Sequence, residues 1–352
     1  MGKAQHPSRE DIYMALNPRM LTLVILPTED CNFRCSYCYE DHVPGRMSPE
    51  TVTGIKRLID RRMDDIEFLR ISWFGGEPLT TKDIVFDVSE FAHQRCQEKG
   101  VELAGDMTTN GYSLTVPVMA RLAAVGHKEF FVSLAGIDAD HDRLRPLASG
   151  KGTYKRIWAN LIALQDSTID FNMSIRLHFG TDVAVCEALC HKINAQFAGD
   201  SRFSISLQRI VDLGGKNTGK FATTSSDEAR QIILHLANLL PDVQVTDLDP
   251  DKTIICTAAR PNNLLIRTDG QISRCSAHLN DPRTFVGRLD ADGYMKIDGQ
   301  RLQPWLKGYD NFDSKMLACP YVAVPSDLWP QNDNIKSFPV NVVVKHSSVT
   351  VK

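Results

Sequence analysis

Apolar and polar positions follow two recurring patterns along the first 240 residues of the chain. Compact apolar runs of about six residues predict buried strands, and longer stretches with apolar positions at helical spacing predict helices. The predicted strands are residues 21–26, 68–73, 101–107, 129–134, 171–179 and 203–210. The predicted helices are residues 48–63, 82–99, 115–125, 153–165, 182–197 and 226–240. Strands that alternate with helices indicate βαβ units and a parallel sheet, so the predicted fold class is α/β.

The pattern changes after about residue 250. Short apolar runs predict strands at residues 254–256, 263–267, 271–273 and 285–289. Asp269-Gly270 is a strong hairpin signal between the second and third of these strands. A helical segment follows at 302–307, and 340–344 is a candidate edge strand. We therefore expect a small β-rich module after the βα units.

Composition excludes several classes of protein. The 352 residues are 43% hydrophobic and 24% charged, as in an ordinary soluble protein. A net charge of -3 provides no electrostatic basis for binding nucleic acid. No apolar run reaches the 18 residues of a membrane span, and residues 1–19 lack the apolar core of a signal peptide. We expect a cytoplasmic protein with neither nucleic-acid nor membrane partners.

Three of the nine cysteines lie in one short loop after the first strand. Cys31, Cys35 and Cys38 form a C-x3-C-x2-C array that is too compact for a sensible set of disulfides. Thiolates are soft ligands that select zinc, copper(I) or iron–sulfur clusters. A structural zinc site uses four ligands, usually as two separated pairs, whereas three thiols can bind three irons of a cubane cluster and leave the fourth open.

With Tyr37 directly before Cys38, this array resembles the signature of the radical SAM enzymes. The resemblance implies a [4Fe-4S] cluster whose open iron binds S-adenosylmethionine (SAM). The reduced cluster then cleaves SAM to methionine and a 5′-deoxyadenosyl radical, which abstracts hydrogen from the substrate. A zinc site or a structural thiol loop is the alternative.

Four further positions match motifs of the same family at predicted strand ends. Gly75-Gly76-Glu77-Pro78 follows the second strand and resembles the motif that binds the SAM amino group. Thr108-Thr109-Asn110-Gly111 follows the third strand, Ser133 ends the fourth, and Arg176 lies on the fifth. Asn110 and Ser133 match positions near the methionyl and ribose groups, and Arg176 matches a basic residue near the carboxylate. Ala135 departs from the family pattern, because many relatives have an aspartate there.

The last cysteines form a second candidate set. Cys256, Cys275 and Cys319, with Gly270 five residues before Cys275, resemble the twitch/SPASM modules that hold an auxiliary iron–sulfur cluster. The chain lacks the later cysteine run of a full SPASM domain, so one auxiliary cluster, taken as [4Fe-4S], is expected. A zinc site and three unrelated thiols are the alternatives. The remaining cysteines lie in predicted amphipathic helices: Cys96, Cys186 and Cys190. Cys186 and Cys190 share one helix face and are expected in the core, with a metal pair as the alternative.

The resemblance divides the chain into four parts. Residues 1–20 are an N-terminal extension, and residues 21–215 form a partial (β/α)6 TIM-like radical SAM barrel. Residues 216–250 are a helical bridge, and residues 251–352 form a small C-terminal β-rich auxiliary-cluster domain with a tail.

The expected activity follows from the relatives with this layout. They install crosslinks or thioethers, or oxidise side chains, in ribosomally made peptides, so a precursor peptide is the expected substrate. An electron donor such as flavodoxin or ferredoxin is the expected partner. A sulfatase-maturase-like oxidation, dehydrogenation of a sugar alcohol and a non-catalytic iron–sulfur or zinc carrier are the alternatives. No catalytic base is identified, although Asp212 after the sixth strand is a candidate by position.

Overall fold

The computed structural model describes residues 7–246 and 254–326, together with a short strand at Phe338–Pro339. The candidate edge strand at 340–344 lies outside the described residues. Within the described part, no helix is long and apolar enough to cross a membrane.

One large sheet organises the molecule. Seven adjacent strands of this sheet run parallel to one another, as the alternating pattern predicts. These parallel strands are β1 (Met20–Ile25), β4 (Phe68–Trp73), β5 (Glu102–Thr109), β6 (His127–Leu134), β7 (Asn172–Phe179), β8 (Phe203–Arg209) and β9 (Gln244–Thr246). A separate hairpin of β2 (Thr28–Glu29) and β3 (Val43–Arg46) brackets the cysteine loop.

Helices follow the parallel strands as the pattern predicts. They are α1 (Arg9–Leu16), α2 (Pro49–Arg62), α3 (Lys82–Lys99), α4 (Val116–Ala124), α5 (Asp138–Leu144), α6 (Tyr154–Gln165), α7 (Val183–Phe197), α8 (Ser226–Ala237), α9 (Gly299–Leu306) and α10 (Ser314–Ala318). Helix α2 begins after its N-cap Ser48 with Pro49 at the first position, as expected. The sequence pattern missed α1, which a Ser8–Asp11 capping box starts, and the short α5.

The C-terminal strands continue the same sheet. Strand β10 (Asn263–Ile266) pairs in parallel with β1, and β11 (Gln271–Ser273) folds back on it through the predicted hairpin. Strands β12 (Phe285–Leu289), β13 (Met295–Ile297) and β14 (Phe338–Pro339) extend the sheet outward. The predicted strand at 254–256 is wrong: this segment is irregular, and the Cys256 amide donates to the Leu317 carbonyl at 2.9 Å instead of joining a strand.

Alternate residues of the parallel strands have different surroundings. Along β7, Met173, Ile175 and Leu177 are buried, whereas Ser174, Arg176 and His178 between them remain partly exposed. The apolar face packs under the helices, and the other face lines the concave interior. The sheet is therefore mostly parallel and covered by helices, which confirms the α/β class and the partial-barrel architecture. The polar interior face is where the candidate site lies.

Candidate functional site

The three loop cysteines line a cavity of about 300 Å³ at the carboxyl ends of the parallel strands. The loop between β2 and β3 carries them over this end of the sheet, where barrel enzymes place their chemistry. Asn217 in the loop after β8 fixes the cysteine loop from outside, since its amide donates to the carbonyls of Cys35 and Cys38 at 3.3 and 3.1 Å. The loop after β8 thus holds the cysteine loop at two of its carbonyl groups.

All three thiols are free and partly buried. Burial raises the pKa of Cys31 and of Cys35, and it raises the pKa of Cys38 to about 12. The thiols are therefore protonated at neutral pH unless a metal replaces their protons.

Four of the residues matched to SAM-binding motifs line the same cavity: Gly76, Asn110, Ser133 and Arg176. The side-chain nitrogen Nδ2 of Asn110 donates to Asn32 Oδ1 at 2.8 Å, which anchors the end of β5 to the cysteine loop. Ser133 Oγ lies 3.1 Å from Nε2 of His178. Arg176 donates to Thr108 Oγ1 at 3.4 Å, and its guanidinium lies 4.2 Å from the centroid of the Phe131 ring. The fold brings these residues together, and their roles toward SAM stay predictions.

Glu77 has a different position from its motif neighbours. Its side chain is 0% exposed, and Oε1 accepts from the Leu79 amide at 3.0 Å and from Thr109 Oγ1 at 2.7 Å. Oε2 accepts from the Asn110 amide at 2.6 Å. The carboxylate therefore ties the end of β4 to the end of β5. Burial raises the pKa of this carboxyl, and its contact with the SAM amino group stays a prediction.

The two glycines before Glu77 let the chain pass close to the cysteine loop. Gly76 has φ +38°, and a Cβ added there would lie 1.9 Å from the Asp30 carbonyl oxygen. A Cβ on Gly75, with φ +78°, would lie 2.4 Å from Leu26 Cγ. Pro78 begins a 3-10 turn, Pro78–Thr81, directly after Glu77. Close approach of the backbone is therefore what this motif provides.

Glu40 is a cavity residue that sequence reasoning missed. Its Oε2 accepts from the Gly76 amide at 2.7 Å, and burial raises the pKa of this carboxyl to about 7. Its position two residues after Cys38 was the available signal. Nothing in the local sequence shows that the loop turns this side chain inward.

Arg145, Tyr37 and His178 form a second missed group on the cavity wall. Arg145 donates to Tyr37 Oη at 2.9 Å, and the Tyr37 ring stacks on His178 with centroids 5.3 Å apart. Burial lowers the pKa of His178 to about 3, so this imidazole is neutral at physiological pH. Arg145 follows directly after helix α5, and only the fold shows that it reaches the cysteine loop.

The C-terminal cysteines lie at the end of the sheet near β11. Cys275 follows β11, Cys256 precedes the 3-10 turn Thr257–Ala259, and Cys319 follows α10. Burial raises the pKa of Cys275, and electrostatic interaction with Cys256 and Cys319 raises it further. The three cysteines are therefore neighbours in the fold. The bond from the Cys256 amide to the Leu317 carbonyl holds two of these segments together.

The remaining cysteines and Asp212 contribute to packing and to loop conformation in this structure. Cys186 and Cys190 are 3% and 0% exposed, which confirms the prediction of core thiols, and Cys96 is 2% exposed. Asp212 is an exposed loop residue whose two oxygens accept from the amides of Gly214 and Gly219 at 3.0 and 2.9 Å. Its carboxylate therefore shapes the loop.

The donor set fits an iron–sulfur cluster. In the described ranges, no group of three or more histidine, cysteine or carboxylate side chains is arranged to hold a metal ion. The match between these residues and a cluster is one of chemistry and place: three free thiols lie in one loop, and they share a cavity with the strand ends. Cys31, Cys35 and Cys38 would hold the cluster, and the cavity beside them would admit SAM.

Known proteins resemble this chain in sequence and in fold. GTP 3′,8-cyclase from Marinobacter nauticus is 25% identical over 273 residues, which are 70% of this chain and 76% of that enzyme. Shorter alignments with other GTP 3′,8-cyclases cover as little as 25% and as much as 52% of those proteins.

Two solved structures share the fold at low sequence identity. Native anSMEcpe with bound AdoMet and Cp18Cys peptide has a TM-score of 0.61 and 16% identity over 86% of this chain and 84% of that one. Streptococcus suis SuiB bound to the precursor peptide SuiA has a TM-score of 0.55 and 16% identity over 90% of this chain and 73% of that one. The sequence model of the radical SAM superfamily matches residues 25–183, which contain the cysteine loop and all the strand-end motifs. This part of the chain is therefore similar in sequence to the radical SAM superfamily.

Proposed function

We propose that this radical SAM protein is an enzyme that modifies a peptide, with its cysteine-lined cavity as the reaction site. The observation that carries the proposal is a polar trough that leads into this cavity. The trough has a volume of about 480 Å³ and follows the interior face of β6, β7, β8 and β9. Arg176 and Gln208 line both the trough and the cavity, so the two spaces adjoin.

The side chains of the trough suit an extended peptide. Hydroxyl and amide groups dominate its floor: Asn172, Ser174, Ser204, Ser206, Gln208 and Thr246. Such groups both donate and accept, so they can pair with the amide and carbonyl groups of a peptide backbone. Main-chain pairing combined with selective side-chain pockets is a common mode of peptide recognition.

The residues of the cavity would position the reactants. When bound, the cluster and SAM supply the one-electron chemistry that removes a hydrogen atom from the substrate. Asn110, Ser133 and Arg176 would orient SAM from the strand ends. The Tyr37–His178 stack forms an uncharged wall, and Arg145 holds the Tyr37 hydroxyl. Fixed geometry matters here because a reactive radical attacks whichever hydrogen lies within reach.

Two solved relatives in fold, anSMEcpe and SuiB, contain bound peptides, which supports a peptide substrate for this chain. A nucleotide is the second candidate, because the curated relatives include GTP 3′,8-cyclases. The guanidinium groups of Arg176 and Arg209 on the cavity wall favour that alternative, since they could meet phosphates.

We also propose an auxiliary iron–sulfur cluster on Cys256, Cys275 and Cys319. The softness of thiolate ligands and the proximity of Cys275 to Cys256 and Cys319 support it. An external one-electron donor of the flavodoxin or ferredoxin class would reduce the clusters.

The first experiment tests the cluster sites. The native chain and three variants are reconstituted with iron and sulfide without oxygen, and iron content and SAM cleavage are measured. We expect Cys31→Ala/Cys35→Ala/Cys38→Ala to abolish SAM cleavage and Cys256→Ala/Cys275→Ala/Cys319→Ala to lose roughly half the iron while some cleavage persists. Cys96→Ala is the control and should retain both. Native-rate cleavage by the first variant, or unchanged iron in the second, would contradict the respective site.

The second experiment tests the substrate. Reduced enzyme and SAM are incubated separately with peptides encoded beside the gene and with GTP, and the products are analysed by mass spectrometry. We expect a mass change in a peptide and none in GTP. Conversion of GTP with every peptide unchanged would overturn the peptide proposal in favour of the nucleotide.

A further inference from the structure

Each of the two cysteine sets has one deeply buried arginine beside it. Arg145 is 6% exposed and Arg274 is 2% exposed. Removing a guanidinium from water is costly, and buried charges in proteins are normally paired with an opposite charge. The partners of these two cations therefore need an explanation.

Arg145 has no carboxylate partner among the ion pairs of the described residues. The one hydrogen bond that its side chain makes in those residues goes to Tyr37 Oη, and its buried Nε has no partner there. The rings of Phe33 and Tyr37 lie 5.8 and 6.0 Å from the guanidinium carbon. Burial opposes the charge of Arg145, but the neighbouring Cys35 favours it, and the pKa of the guanidinium lies above its ordinary value. The neighbours of Arg145 that can become anions include the thiols of Cys35 and Cys31, together with the Tyr37 phenol and the buried Glu77 carboxyl.

Arg274 is held in a similar way next to the other set. Within the described part of the chain, its side-chain nitrogens donate only to main-chain carbonyls: to Ala258 at 3.1 and 2.7 Å, to Asn263 at 2.6 Å and to Arg260 at 2.6 Å. Carbonyl oxygens satisfy its hydrogen bonds but leave its charge uncompensated. Burial lowers the pKa of Arg274 to about 10, and electrostatic attraction to Cys256 partly offsets this lowering. Cys275 is its neighbour in sequence.

We propose that Arg145 and Arg274 are dedicated counter-cations, each for the iron–sulfur cluster on the cysteines beside it, and that each raises the reduction potential of that cluster. This inference rests on the proposed function, which assigns a cluster to each cysteine set. One-electron reduction adds a negative charge to a cluster, and a fixed cation in a poorly solvated site stabilises the added charge. Both arginines would thus make their clusters easier for an external donor to reduce.

The test compares, at each arginine position, a variant that removes the positive charge with a variant that keeps it. Arg145→Met, Arg145→Lys, Arg274→Met and Arg274→Lys are made in the full chain and reconstituted without oxygen. The clusters are then titrated against a poised chemical reductant and followed by electron paramagnetic resonance. Each methionine variant should lower the reduced-to-oxidised ratio of its own cluster about tenfold at fixed potential, which for one electron is about 59 mV. Each lysine variant keeps the charge and should stay close to the native chain.

Each arginine is the control for the other cluster. Arg145→Met should shift the cluster that binds SAM and leave the auxiliary cluster unchanged, and Arg274→Met should do the reverse. Equal shifts in the methionine and lysine variants would show a packing role and overturn the inference. Unchanged potentials with both clusters present would overturn it as well and leave the proposed function standing.

Folding and iron content separate the remaining outcomes. Far-ultraviolet circular dichroism shows whether a variant folds. Loss of a cluster from a folded methionine variant, with retention in the lysine variant, supports the counter-cation role. A native chain that binds only one cluster would instead overturn the auxiliary site of the proposed function, and the role of Arg274 with it.

Discussion

Individual buried side chains connect strands that are far apart in the sequence. The Glu77 carboxylate links the end of β4 to the end of β5, and the His127 ring links β6 to β4. The indole nitrogen of Trp73 on β4 lies 3.1 Å from Nε2 of His127 on β6. Because an indole nitrogen only donates, Nε2 must accept, and the imidazole is neutral with its proton on Nδ1. Burial lowers the pKa of His127 to about 4.

His127 should make the folded state sensitive to acid. Between the free-histidine pKa of about 6.5 and the folded value, the unfolded chain binds a proton that the folded chain does not. The free energy of unfolding therefore falls as the pH decreases through this window, by about 1.4 kcal/mol per pH unit and about 3 kcal/mol in total from this residue. We expect His127→Gln, whose Oε1 can accept from Trp73, to reduce the loss of stability between pH 7 and pH 4.

Urea unfolding of the native chain and the variant across this pH range measures the effect. His191→Gln, at an exposed position, is the control and should follow the native pH dependence. Identical pH dependence in His127→Gln and the native chain would show that this ring does not resist protonation.

At the scale of elements, helix α2 joins the barrel to the C-terminal strands. Arg57 and Arg61 on α2 donate to the carbonyls of Ala291 and Asp292 at 3.1 and 3.0 Å, in the turn between β12 and β13. Gly54 permits this contact, since a Cβ added there would lie 2.3 Å from the Asp290 carbonyl oxygen. A glycine within the helix thus sets how closely the turn approaches.

Gly54→Ala should destabilise the chain although alanine is the better helix former. The propensity gain is about 1 kcal/mol, but the backbone of the turn must move to relieve the overlap, and overpacking of this kind costs about 1–3 kcal/mol. We therefore expect no net gain and a loss of up to about 2 kcal/mol in the free energy of unfolding, measured by urea titration.

Gly299→Ala is the matched control. Gly299 begins α9, and a Cβ there would meet nothing within 4 Å, so this change should be neutral or stabilising. A stabilisation by Gly54→Ala equal to that of the control would contradict the close contact between α2 and the turn.

For the whole molecule, the position of β1 inside the sheet joins the parallel strands to the C-terminal strands. Strand β1 pairs with β4 on one side and with β10 on the other, so the sheet runs unbroken from the parallel strands into the C-terminal ones. Backbone hydrogen bonds cross from one region to the other in the middle of the sheet. The domain limits near residues 215 and 250 stay predictions, and the unfolding behaviour tests them.

We expect the chain to unfold in a single transition. Trp305 on α9 is 0% exposed, and Trp305→Ala should cost about 3–5 kcal/mol and lower the melting temperature of the entire chain, including the parallel strands. Phe312→Ala removes a side chain that is 46% exposed and serves as the control. Differential scanning calorimetry provides the measurement. Two transitions, of which Trp305→Ala shifts only one, would indicate two separately folding domains.

The extent of successful prediction follows the range of the interactions. Strands β4, β11 and β12 and helix α3 have the predicted bounds, because apolar periodicity and turn residues act within a few positions. The segment at 254–256 was mispredicted because an apolar run does not reveal its partner. The short α5 was missed because seven residues carry too little periodicity.

The sequence by itself determined the local features of this protein: the alternation of strands and helices, the three-thiol loop and the strand-end motifs. These depend on residues that are close together in the chain. Only the tertiary structure decided which side chains are buried beside the thiols. Arg145 reaches Tyr37 across 108 positions, and Glu77 is closed off by a strand 33 positions further on. Burial and electrostatic pairing arise from contacts between distant segments, and a local sequence pattern contains no information about such contacts.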